Sequence, residues 1–248
     1  MSAPSRSKEV RGLRILAFES SAKAASVALL QDGALLGEYF QNSGQTHSRT
    51  LTRMAEDLLA NCDLTPADVD AVAVAAGPGS FTGVRIGVAA AKGFCWGRQI
   101  PCYGVSTLEA MVRGAAMCDG VYCACMDARR AQVYNAVFSV EDGTLTRRCE
   151  DRAISIDALG MSLKNLEKPI FLVGDGAELC YNTLRVSIPA LRLLPEHLRW
   201  QRASGTALAA AAQIAAGRPG SGLELTPNYL RLSQAERTRL EKQNSGSN

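Results

Sequence analysis

The sequence predicts an α/β protein of two similar lobes, and three observations carry that prediction. Short apolar runs rich in Val, Ile, Leu and Ala alternate with stretches of helical periodicity along nearly the whole chain. The order of three strands, helix, strand, helix that opens the chain returns from about residue 120, although the residues themselves do not repeat. A length of 248 residues with 47% hydrophobic composition is ordinary for a globular protein and accommodates two lobes. The predicted organisation is a flexible arm at 1–12, a first lobe at 13–105, a second lobe at 106–216, and a linker and tail at 217–248. Each lobe is a βββαβα-type unit.

The first lobe starts with "LRILAFES", "AASVALL" and "ALLGEYFQ", three apolar runs that read as a strand meander, the last two joined by the turn "QDG". "THSRTLTRMAEDLLANC" places Leu51, Met54, Ala55, Leu58 and Leu59 on one face of a helix. "TPADVD" supplies a Thr before a Pro, enough for one short helical turn, and "AVAVAA" is a buried strand. A helix follows from Phe81 to about Gly97, then the strand "IPCYGV" and the helix "STLEAMVRGAA", capped by Ser106 or Thr107. The second lobe opens with "VYCACMDA", "AQVYNAVFSV" and "LTRRCEDRAI" as three strands. A helix near 156–166, the strand "PIFLVGDGA", a helix near 177–185, the short strand "LRLLP" and an Ala-rich helix at 204–216 complete it, before "GRPGSG" breaks the chain.

Net charge is only +3, with basic residues spread along the chain, which argues against a dedicated nucleic-acid binder with a dense basic face. "MSAPSRSKEVRG" lacks the apolar core of a secretory signal, and no apolar run reaches the 18 or so residues of a membrane span, so a cytoplasmic protein with no membrane partner is expected. The eight cysteines follow no C-x-x-C spacing. They read as free thiols, with Cys123 and Cys125 sharing one face of a strand. With only His47 and His197 available, no structural zinc site is expected.

The stretch "AAGPGSFTGVRIGVAAAKGF" carries the densest run of glycines between a strand and a helix. It is not a P-loop, because Val84 stands where the lysine belongs, and Thr82 stands where the dinucleotide fingerprint needs its third glycine. A nucleophile elbow would need serine at Phe81, and Ser80 is one position away. Two readings of Gly77, Gly79, Ser80 and Thr82 stand: a tight turn whose Ser80 or Thr82 caps the helix, or a direct ligand contact. Within the helix, Gly83, Gly87 and Ala91 recur every four residues and form a stripe with no bulky side chain, at roughly 1 kcal/mol per glycine. Such a stripe lets another backbone approach, either the protein's own core or a second chain.

"GPGSFTGVRIG", with "GVSTLEAM", "MDARRAQVY", "VGDGA" and "PNYLRLSQAE", closely resembles the bacterial TsaB (YeaZ) family over nearly all of residues 13–236. That family is the dimerization subunit of the tRNA threonylcarbamoyladenosine (t6A) synthesis complex. The resemblance implies an actin-like, sugar-kinase-like ATPase fold in two lobes, and a catalytic relative, TsaD, that transfers the carbamoyl group. Such folds grip phosphates at the first hairpin of each lobe with an acidic residue, a glycine and Ser/Thr. Here Glu19, in place of the aspartate usual in the family, and Asp127 fill the acidic positions; neither hairpin has the glycine, and Arg129 and Arg130 add bulk. The relative's H-x-x-x-H metal motif is reduced to His47 followed by Leu51.

The expected function is therefore a non-catalytic scaffold with vestigial hairpins at Glu19, Asp127 and Arg129. It would pair with a TsaD-type subunit and a TsaE-type ATPase and form a homodimer when alone. It would permit t6A formation at position 37 of tRNAs that read ANN codons, with tRNA engaged indirectly. No metal and no tightly held cofactor are expected, ATP or ADP being accommodated only at a subunit interface. The partner interface is expected to comprise Leu51, Met54, Leu58, Gly83, Val84, Gly87 and Ala91. The alternative is a stand-alone nucleotide-dependent transferase or peptidase-like enzyme of the same fold. The tail "YLRLSQAERTRLEKQ" reads as a solvated end or a basic, tRNA-facing helix.

Overall fold

Residues 12–166 and 168–231 are described by a computed structural model; the expected arm and the end of the expected tail, from Leu232 onward, lie outside the described residues. The meander forms as β1 (Arg14–Glu19), β2 (Ala25–Gln31) and β3 (Ala34–Gln41), antiparallel in turn. After α1 (His47–Asn61) the chain adds β4 (Ala71–Gly77) parallel to β1. Then come α2 (Phe81–Arg98), β5 (Cys102–Ser106) parallel to β4, and α3 (Thr107–Ala115). The first sheet is ordered β3-β2-β1-β4-β5.

The second half runs β6 (Gly120–Asp127), β7 (Gln132–Glu141), β8 (Thr144–Arg147), β9 (Arg152–Ser155), α4 (Ile156–Leu163) and β10 (Ile170–Val173). It continues with α5 (Ala177–Leu184), β11 (Leu191–Leu193), α6 (Glu196–Arg199) and α7 (Ala203–Ala215). Its sheet is ordered β11-β10-β6-β7-β8, which is the first sheet's order read from the other edge, with β6, β7, β8, β10 and β11 in the places of β1 to β5. The duplication expected from the sequence is thus present at the level of topology. The stretch expected as one strand, "LTRRCEDRAI", is two strands that pair with different halves of β7. The chain turns between them because Arg147 draws Asp151 to 2.6 Å while also holding Glu109 of α3 at 3.1 Å.

Both faces of both sheets are covered, and period-two alternation sorts the side chains. Leu16, Phe18, Val72 and Val74 face α1 and α2, whereas Ile15, Ala17, Ala71 and Ala73 pack with α7. In the second sheet Tyr122, Ala124 and Met126 meet α3, and Val121, Cys123 and Cys125 cluster with α4 and α5. α3 and α7 cross closely: a Cβ on Gly205 would run into the Ala110 carbonyl, so a side chain there would push the two helices apart.

This placement corrects the lobe boundaries read from the sequence. The position of α7 in the chain puts it in the second lobe, yet its buried alanines 203, 207, 209 and 210 sit in the first lobe's core. An Ala-rich helix with small residues on all sides lies close to a flat sheet, and its sequence does not say which sheet. Nor are residues 217–231 a free linker, since Leu225 is buried in the α1/α2 core.

Glu38 fastens α7 in place. Its Oε1 accepts from the Ser204 N–H, the Ser204 hydroxyl and the Ser26 hydroxyl, each at 3.0 Å, and its Oε2 accepts from Arg202 at 3.1 Å. Glu38→Ala strands these donors in a site where the carboxylate side chain is 11% exposed. A loss of about 3 kcal/mol in urea unfolding is expected; a loss under about 1 kcal/mol would show that α7 is held by its alanines alone.

Candidate functional site

The glycine loop is filled by its own chain. Ser80 accepts the Gly83 N–H at 3.3 Å as the cap of α2, and donates its own N–H to the Ser21 carbonyl at 2.6 Å. The Ser20 hydroxyl donates to the Gly83 carbonyl at 2.9 Å. Side chains at Gly79 and Gly83 would collide with the carbonyls of Ser21 and Ser20, and one at Gly77 with the carbonyl of Asn228. Every close approach that Gly77, Gly79 and Gly83 permit is therefore made by the first hairpin or the C-terminal segment, which leaves Thr82 exposed on the first turn.

The two hairpins repeat one arrangement. At the end of β1, Glu19 Oε1 accepts the N–H of Ser21 at 2.7 Å; at the end of β6, Asp127 Oδ1 accepts the N–H of Arg129 at 2.7 Å. Burial pushes the Glu19 carboxyl up to about 7 against the lowering effect of hydrogen bonds from Ser21 and Thr206, and the charge of Asp175 adds to the rise. Arg129 folds back to pair with Asp127 at 3.3 Å.

Asp175 is a third acidic residue here and was missed in the sequence reading. It follows β10, the counterpart of β4, and its neighbours Gly174 and Gly176 occupy the places of Gly77 and Gly79; Gly174 (φ +108°) and Gly77 (φ +119°) share the left-handed half of backbone space. "VGDGA" set beside "AAGPG" was the available signal. Desolvation by the surrounding protein raises its carboxyl above the ordinary range, and the charge of Asp127 adds to the rise. Gln201, buried, donates to it at 3.0 Å. Among the described residues, Ser21 Oγ and Gln201 Oε1 are buried without a hydrogen-bond partner, and no group of three His, Cys, Asp or Glu could hold a metal ion. His47 starts α1 with Nε2 at 3.2 Å from the Ala24 carbonyl oxygen, and Leu51 one turn on is core.

The expected partner residues need correction. Leu51, Met54, Leu58, Gly83, Val84, Gly87 and Ala91 are all buried within the chain, on the side of α1 and α2 that meets the first sheet. A Cβ on Gly87 would come 2.5 Å from the Ser20 hydroxyl and 3.3 Å from Val74. The stripe admits the first hairpin and β4, not another molecule. α2 carries a second stripe at the same spacing, Ala89, Gly93 and Gly97, all exposed, and a Cβ on Gly93 or Gly97 would meet nothing within 4 Å. With Thr52, Glu56 and Ala60 of α1 and Phe94 of α2 it borders a mainly apolar groove of about 650 Å³.

A family model described as TsaD, tRNA N6-adenosine threonylcarbamoyltransferase, matches residues 38–217. The Bacillus subtilis (strain 168) tRNA threonylcarbamoyladenosine biosynthesis protein TsaB is 31% identical over 93% of this chain and 100% of its own length. The chain belongs to the bacterial TsaB (YeaZ) family. The Escherichia coli (strain K12) protein of the same name is 36% identical over 57% of this chain and 62% of its own. The solved structure of YeaZ from Pseudomonas aeruginosa superposes with a TM-score of 0.70 at 25% identity, covering 88% of this chain and 100% of that one. The two-sheet, two-lobe α/β architecture is the actin-like fold that the resemblance implied. Among the described residues no helix is long and apolar enough to cross a membrane.

Proposed function

We propose that this chain is a non-catalytic subunit of tRNA t6A synthesis in the cytoplasm, pairing with a TsaD-type subunit through the outer face of α1 and α2. The observation that carries the reading is the exposed stripe Ala89, Gly93, Gly97 beside an apolar groove, a surface onto which a second helix pair fits closely. The match of this chain to a transferase family model supports a partner of the same architecture, and like faces of like folds pair about a two-fold or near-two-fold axis. The same face would serve a homodimer when the partner is absent. A TsaE-type ATPase completes the assembly, and tRNA is engaged through the partner.

Gly93→Arg tests the face. Because Gly93 is exposed within a helix, arginine there improves helix propensity by about 0.5–1 kcal/mol, so the melting temperature is expected to stay level or rise slightly. Co-purification with the TsaD-type subunit, and any homodimer, should nevertheless be lost. Undiminished binding would remove the face from consideration. In a reconstituted assay with threonylcarbamoyl-adenylate, tRNA modification should require the TsaD-type subunit, and modification by this chain alone would overturn the non-catalytic reading.

Nucleotide is proposed to bind weakly to the isolated chain, because neither hairpin offers the glycine-backed amides that approach a phosphate and Arg129 is turned onto Asp127. Calorimetry with ATP and magnesium checks this. Micromolar binding abolished by Asp127→Ala would contradict it.

A further inference from the structure

The last described stretch of the chain crosses from the first lobe to the second by a series of specific contacts. Leu225 is buried against Gly104, whose missing side chain makes room for it, and Lys92 donates to the Leu225 carbonyl at 3.2 Å. The Asn228 N–H donates to the Ala76 carbonyl at 2.6 Å, while the Asn228 carbonyl fills the space over Gly77. The Tyr229 ring stacks on Phe81 with centroids 4.6 Å apart. Arg85 lies 4.1 Å over that Phe81 ring and donates from Nε to the Tyr229 hydroxyl at 2.8 Å. Two residues later Arg231 donates from Nη1 to the Ala128 carbonyl at 2.9 Å.

Ala128 leads into the second hairpin, where Arg129, Arg130 and Ala131 have φ of +65°, +57° and +54°. Three successive left-handed residues without a glycine persist only where their surroundings hold them. Inside the hairpin the Ala128 N–H donates to Gln132 and the Gln132 N–H to Arg129, at 3.0 and 3.2 Å. From outside, the Ile156 N–H donates to the Ala131 carbonyl at 3.2 Å at one end, and Arg231 adds a second hold at the other, carried by a segment whose near end is embedded in the first lobe.

We propose that residues 225–231 are a strap that locks the second hairpin in its strained form and couples it to the glycine loop, so that release of Tyr229 and Arg231 loosens the hairpin while both sheets stay folded. The strap has a fixed end and a releasable one. Leu225 and Asn228 are held by core burial and a backbone bond, whereas Tyr229 is 39% exposed and Arg231, among the described residues, is held by a single side-chain bond. Surface contacts of the second kind open at little cost while buried ones stay closed.

The Tyr229→Ala/Arg231→Ala double variant of the full chain tests this, because the hairpin contains two tryptic sites, after Arg129 and after Arg130. Limited trypsin digestion there, and amide exchange over residues 128–132, should each become about ten-fold faster, while amides of β1, β4 and β6 keep their protection. Unchanged rates in the hairpin would overturn the proposal. So would an equal loss of protection through both sheets, which would make the segment ordinary core. Should the double variant fail to fold, Arg231→Ala alone, which removes only the bond to Ala128, is expected to speed hairpin exchange and leave residues 77–81 as in the parent; no change in the hairpin would again overturn the strap.

Discussion

Gly83→Leu is expected to unfold the chain rather than to separate it from a partner, and Gly83→Ala to cost about 3 kcal/mol. The first atom of any side chain at this position meets the backbone carbonyl of Ser20, which cannot swing aside as a flexible side chain would. Moving it also disturbs the Ser20 hydroxyl bond to the Gly83 carbonyl and the Ser80 N–H bond to Ser21. Against this, alanine regains only about 1 kcal/mol of helix propensity. Gly87→Leu should follow in the same direction, since its Cβ lies 2.5 Å from the Ser20 hydroxyl and 3.3 Å from a Val74 methyl. Urea melts followed by circular dichroism measure the effect. If Gly83→Leu melted like the parent and lost only its partner, the buried stripe would have to be returned to the interface and the packing of α2 on the first hairpin would be wrong.

The same pair of stripes shows what the sequence could and could not say. Strands and long helices were legible because period two and period 3.6 mark them directly, and the repeated order of elements revealed two lobes. A face is harder to assign. On α2 the positions 83, 87, 91 and 89, 93, 97 both carry small residues four apart, so the spacing alone does not tell which one lies on the sheet. Ser20 and Ser21 decide it, and they are some 60 positions earlier in the chain. α7 poses the same difficulty, because buried alanines on several sides fit either sheet and only the Glu38 cap identifies which. The four-residue α6 was too short for any periodicity to reveal. The segment after "GRPGSG" reads as a polar tail, and the burial of Leu225 depends on the absent side chain of Gly104, a contact between residues far apart in sequence. At the hairpins the acidic positions 19 and 127 came from the family resemblance, whereas Asp175 requires recognising that "GDG" repeats the backbone of "GPG".

Glu19→Gln is expected to make the protein more stable above neutral pH and to flatten the pH dependence of its stability. Glu19 is fully buried, and its carboxyl is pushed from the usual 4.5 to about 7. Below 4.5 the group is protonated in both folded and unfolded chains and contributes no difference. Between 4.5 and 7 the unfolded chain releases the proton while the folded chain keeps it, so stability falls as pH rises, by up to about 1.4 kcal/mol per unit. Above 7 both states are ionised and the accumulated penalty, about 3 kcal/mol, remains. The raised carboxyl of Asp175 contributes in the same sense. Glutamine keeps an oxygen to accept the Ser21 N–H and replaces the other with an amide able to donate to the Thr206 hydroxyl, without a charge to bury. At pH 8 the variant should therefore exceed the parent by about 2–3 kcal/mol, and at pH 4.5 the two should coincide. A variant less stable at pH 8 would mean that Glu19 is ionised and favourably held in the folded chain.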